Sequence, residues 1–159
     1  MRSIGKSNLI AAAISNQKKF DKLFQFLFNE NRVVTMRAAD AIEKITLKHP
    51  AFLEKYKEEI LLLMNNAVHK ELKWHIALLL SRLSLNKAEQ QKVWKQLVNW
   101  LCDPEESKIV RVNSLQALYE MNQKYKTSNS SLSKVIDKLK NESPAAIIAR
   151  LKKLNVLNH

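Results

Sequence analysis

Three segments of this chain carry one hydrophobic pattern, and that repetition limits the fold more than any other feature. VVTMRAADAIEKI spans residues 33–45 and IVRVNSLQALYEM spans 109–121. Between them, LKWHIALLLSRL at 72–83 gives a looser version. With Val34, Leu72 and Val110 as position zero, each copy follows the last by 38 residues. Offsets four and five hold Ala38–Ala39, Ile76–Ala77 and Ser114–Leu115. Offsets seven and eight hold Ala41–Ile42, Leu79–Leu80 and Ala117–Leu118, and offset eleven holds Ile45, Leu83 and Met121. Steps of four, three and four place these residues on one stripe of an α-helix. The small residues in the stripe let a neighbouring helix come close.

A second series precedes the first. Leu23–Phe24, Ile60–Leu61, Leu97–Val98 and Val135–Ile136 recur at nearly the same period, each with an apolar partner at Leu27, Met64, Leu101 or Leu139. The unit is therefore helix A, turn, helix B. One such hairpin cannot bury both of its apolar stripes, whereas stacking the next hairpin can. The pattern predicts one domain over 1–159, with units at about 18–47, 50–85, 87–125 and 130–157 after a short N-terminal helix. Pro104 and Pro144 fall between A and B helices, and Pro50 opens the second A helix, all positions that proline tolerates. TSNSS at 127–131 reads as the loosest loop. The last B helix, PAAIIARLKKL at 144–154, breaks the step and is cationic, as a terminal repeat can be.

Composition removes several alternatives. The chain has one glycine, Gly5. Phosphate-cradling loops and primed hairpin turns need glycine, so a P-loop, a dinucleotide fingerprint and a β-sandwich do not fit. The single cysteine, Cys102, excludes an internal disulfide and reads as a buried inert thiol. LIAAAI at 9–14 is too short to span a bilayer, and SNLIAAAISN reads as a helix capped by Ser7 or Asn8. A cytoplasmic location is the expectation. No Cys/His spacing resembles a zinc site, and the turn at Asp103, Glu105 and Glu106 reads as solvated. No metal, cofactor or catalytic constellation is expected.

VVTMRAADAI and IVRVNSLQAL resemble the helix-B pattern of HEAT repeats, with Asp103 and Arg111 at the positions where such repeats carry an aspartate and an arginine. The second unit departs, with Lys73 in place of the arginine and the bulky Trp74 and His75 beside it. The resemblance covers roughly 18–154, and the chain is similar to small bacterial HEAT-repeat proteins. It implies an all-α, armadillo-like α-solenoid, a right-handed superhelix of about four hairpins. It also implies a scaffold that holds other macromolecules on a concave row of B helices. Some HEAT-like proteins are alkylpurine DNA glycosylases, which need a catalytic carboxylate flanked by tryptophan. Asp40 and Trp74 on successive B helices are a weak match, and the chain is read as non-catalytic.

The lining of that row follows from the offsets that leave the core stripe. It holds Arg37, Asp40, Trp74, His75, Arg82, Asn113, Gln116 and Tyr119, a mixed face suited to a protein partner. The alternative rests on charge. Lys and Arg total 27 against 15 Asp and Glu, and residues 110–159 alone hold nine cationic and three acidic side chains. Lys134, Lys138, Arg150, Lys152 and Lys153 form a basic end that could neutralise nucleic-acid phosphates. No aromatic residues are interleaved there to stack single-stranded bases.

Overall fold

The computed structural model describes residues 3–67, 69–126, 129–140 and 145–154. Among them are nine helices and no strand: α1 Ser3–Ala13, α2 Gln17–Gln25, α3 Arg32–Lys48, α4 Lys57–Asn66, α5 Lys70–Arg82, α6 Lys87–Cys102, α7 Lys108–Tyr125, α8 Asn129–Lys140 and α9 Ala145–Lys153. Two 3-10 turns, Phe26–Phe28 and Pro50–Tyr56, extend α2 and precede α4. Every stripe residue at offsets four, five, seven, eight and eleven is buried, in all three copies. On the A side Leu23, Phe24, Leu27, Ile60, Met64, Leu97, Leu101, Ile136 and Leu139 are buried too. Period-3.6 spacing has thus become core through helix packing, with α2 on α3, α4 on α5, α6 on α7, and α8 and α9 both on α7.

The chain divides into two compact units, Met1–Ser84 and Leu85–His159. In the first, α3 is central, with α1, α2, α5 and both 3-10 turns packed on it. Ala38, Ala39 and Ala41 are almost fully enclosed, so neighbouring helices come close to its backbone. Asn16 and Asn31 start α2 and α3 by accepting from backbone amides in the first turn. An aromatic cluster joins α2 to the second 3-10 turn: Phe24 stacks on Tyr56 with ring centres 3.8 Å apart, and Phe20 meets Phe52 at 5.4 Å. Asp21 fastens the same junction, accepting from Gln17 at 2.8 Å and from Lys55 at 2.6 Å. These donors, Lys55 first, hold the Asp21 carboxyl at about 2. Burial, and then the hydrogen bond to Asp21, pushes the Tyr56 phenol up to about 12.

In the second unit α7 is central, with α6, α8 and α9 against it. A capping box, Asn86 with Glu89, starts α6, and Ser107 caps α7. Buried Arg111 donates through Nε to the carbonyl of Leu101 at 2.8 Å, closing the C-terminus of α6 onto the start of α7. α7 ends at Lys126, whose φ of 47° is left-handed.

Three sequence expectations change. α1 starts at Ser3, with Gly5 inside it, and Ser7 is fully buried within the helix rather than capping it. A cap must sit before the first turn, and the apolar run misled because α1 buries Ser7 in mid-helix. Residues 129–131 of the expected loop belong to α8; Thr127 and Ser128 lie outside the described residues, as do Pro144, residues 155–157 of the last unit, and His159. Cys102 is half-buried rather than enclosed.

Candidate functional site

The expected lining divides by unit. On α3, Arg37 and Asp40 are half-buried, and Asp40 accepts from Lys44 one turn later at 2.7 Å. This is an ordinary i,i+4 ion pair, with both side chains about 30% exposed. On α5, Trp74 is half-buried and meets the His75 ring edge-on, with centres 5.5 Å apart.

His75 and Arg82 were expected on an open lining. The structure turns both towards α3. His75 is buried, and its Nδ1 meets the Glu43 carboxylate. Arg82 donates through Nη1 to the Glu43 carbonyl at 2.6 Å and to Thr46 Oγ1 at 2.8 Å. The Thr46 hydroxyl in turn donates to the Ile42 carbonyl at 2.8 Å. The physical reason is that offsets three and ten of α5 lie beside the core stripe, where a long side chain can reach back across the helix pair. These two residues clasp α5 to α3. A second clasp sits at the other end of the pair, where Arg32 meets Glu71. The Glu71 carboxyl is held below its ordinary range, chiefly by its own backbone amide and next by Arg32.

In the second unit, Asn113, Gln116 and Tyr119 are half-buried on α7. Gln116 donates to Glu120 at 2.9 Å and accepts from Arg150 of α9 at 2.7 Å. One hydrogen bond thus links a residue of the mixed face to one of the basic end. The remaining cations of that end, Lys134 and Lys138 on α8 and Lys152 and Lys153 on α9, are exposed. Asp103 accepts from the Glu105 amide at 2.9 Å, which makes this acidic stretch a local turn. No cluster of three or more His, Cys, Asp or Glu that could hold a metal occurs among the described residues. No helix among them is long and apolar enough to cross a membrane.

Paired helices that recur at a period near 38 residues define a helical-hairpin repeat protein. A family model described as a HEAT repeat domain matches residues 3–158, so the chain belongs to the HEAT-repeat family and has the all-α, solenoid-class fold that the sequence implied. No curated protein matches the chain, and no solved structure does.

Proposed function

We propose that this protein is a non-catalytic HEAT-repeat scaffold that holds a protein partner on the outward faces of its B helices. The residues proposed for contact are Arg37, Asp40 and Trp74 in the first unit and Asn113, Gln116 and Tyr119 in the second. His75 and Arg82 act behind them, by holding α5 against α3. The observation that carries this reading is the mixture on α3 and α5. A cation, an internally paired carboxylate and a half-buried tryptophan stand on adjacent helices, the residue mix of protein interfaces rather than of a phosphate track.

A second reading has its own support. Lys134, Lys138, Lys152 and Lys153 are exposed in one unit and could neutralise phosphates. One experiment separates the two. A photo-crosslinking residue placed at Trp74 and, separately, at Tyr119 is activated in cells, and the adducts are identified. The purified protein is also titrated with labelled DNA and RNA at about 50 and 200 mM salt. Defined protein adducts at these positions, with no steep salt-dependent nucleic-acid binding, support the scaffold. Absence of protein adducts, with binding abolished on neutralising the four lysines, transfers the function to the basic end.

A further inference from the structure

In the first unit, α1, α2 and α3 enclose an apolar groove of about 430 Å³. Its floor is Ile10, Ile14, Leu23, Phe26, Val34 and Ala38. Phe26 is left 48% exposed there, a large apolar surface that the fold does not cover. The volume lies within the range of specific binding pockets, about 300–1,000 Å³. The rim is cationic: Lys19 and Lys22 on α2 and Arg37 on α3. No acidic residue is among the described residues that line it. Lys19 is fixed at the edge, where its ammonium donates to the Ala13 carbonyl at 3.2 Å and to Ser15 Oγ at 3.4 Å.

A second groove of about 280 Å³ in the same unit makes the comparison. Glu30, Arg32 and Glu71 line it, and the Arg32–Glu71 ion pair satisfies charge across it. Among the described residues that line the first groove, no carboxylate answers its positive rim.

We propose that the groove between α1, α2 and α3 docks an acidic amphipathic helix of a protein partner. The proposal rests on the scaffold reading only in that the partner is a protein. The chemistry of floor and rim selects this occupant. An extended peptide laid on an apolar floor leaves backbone N–H and C=O groups unpaired, which is costly. A helix satisfies its backbone internally and presents apolar anchors at i, i+3 or i+4, and i+7. Carboxylates flanking those anchors meet Lys19, Lys22 and Arg37, giving orientation and a fast encounter. A second copy of this chain is a poor occupant, because it brings its own net charge of +12 to a cationic rim.

The test uses the full chain and two labelled peptide helices. Both carry leucines at i, i+3, i+4 and i+7; one has glutamates on its polar face and the other lysines. Binding is followed by fluorescence anisotropy, alongside co-sedimentation with phosphatidylcholine/phosphatidylglycerol vesicles. The expected result is that the glutamate peptide binds more tightly than the lysine peptide by about tenfold or more. Lys22→Glu, an exposed change, should erase that preference, and Phe26→Asp should weaken both peptides. Circular dichroism and urea unfolding confirm that each variant folds. Equal binding of the two peptides, binding unaffected by Lys22→Glu and Phe26→Asp, or preferential uptake by the anionic vesicles overturns the proposal. The Trp74 and Tyr119 crosslinks on the unaltered chain tell the two readings apart: if protein adducts form while neither peptide binds, the groove is refuted and the scaffold stands.

Discussion

At Lys126 the chain leaves α7 through a left-handed residue without using a glycine. A side chain in that region costs roughly 1–2 kcal/mol, which is why helices so often end on glycine. Lys126 is exposed, so nothing around it depends on the side chain. Lys126→Gly should therefore stabilise the protein by roughly 0.5 kcal/mol, the relief of strain being partly offset by the freer unfolded chain. Lys126→Val should move the urea midpoint the other way, since a β-branched residue tolerates this conformation least. A reading of the sequence could not find this position, because the only glycine lies in α1 and Lys126 carries no turn signature.

Among the elements, the α3–α5 pair shows most clearly what one residue can hold together. Arg82 gives two hydrogen bonds to α3, one to a backbone carbonyl and one to a threonine that already serves its own helix. Arg82→Ala should cost about 2 kcal/mol in urea unfolding, within the range for charge-assisted bonds left without their donor. Arg82→Lys should recover only part of that, since both bonds come from the one nitrogen Nη1 and an ammonium can donate twice but sits on a shorter stem. The elements themselves were legible from the chain. Offsets four, five, seven, eight and eleven of α3, α5 and α7 form the core as written, because an amphipathic stripe can satisfy itself in only one direction. The polar partners were not legible. His75 with Glu43, and Arg82 with Thr46, are separated by 32 and 36 residues, and no periodicity states which of two outward-reading side chains will turn inward. The groove escaped for a related reason. Phe26 lies in an apolar run, LFQFLF, and only the placement of α1 and the 3-10 turn decides which of its residues remain uncovered.

For the molecule as a whole, the Asp21–Tyr56 junction contributes to how stability responds to pH at both ends of the scale. Asp21 has a folded pKa of about 2, below its ordinary 3.8, so its contribution is present above about pH 4 and is lost as pH falls towards 2. Tyr56 behaves in the opposite sense at the alkaline end. Its folded pKa of about 12 stands above the ordinary 10, so its contribution is whole below pH 10 and is lost between 10 and 12. Urea midpoints measured across pH should show both declines. Asp21→Asn should flatten the acid one. Tyr56→Phe should flatten the alkaline one, which should survive for the most part in Asp21→Asn because burial is the larger cause of the phenol's shift.

Three of the arginine contacts share a direction. Arg82 reaches from α5 to α3, Arg111 from α7 to the end of α6, and Arg150 from α9 to α7. In these three the donor lies C-terminal to its acceptor, whereas Arg32 on α3 reaches forward to Glu71 of α5. During synthesis the earlier helix therefore leaves the ribosome with its acceptor waiting, and the later one brings the fastener. A nascent chain that has exposed α3 but not yet Arg82 holds a half-made unit, and the arrival of that residue locks it. The order of translation is thereby written into these contacts: α6 is closed by the helix that follows it, while α3 and α7 are fastened only when α5 and α9 have been made.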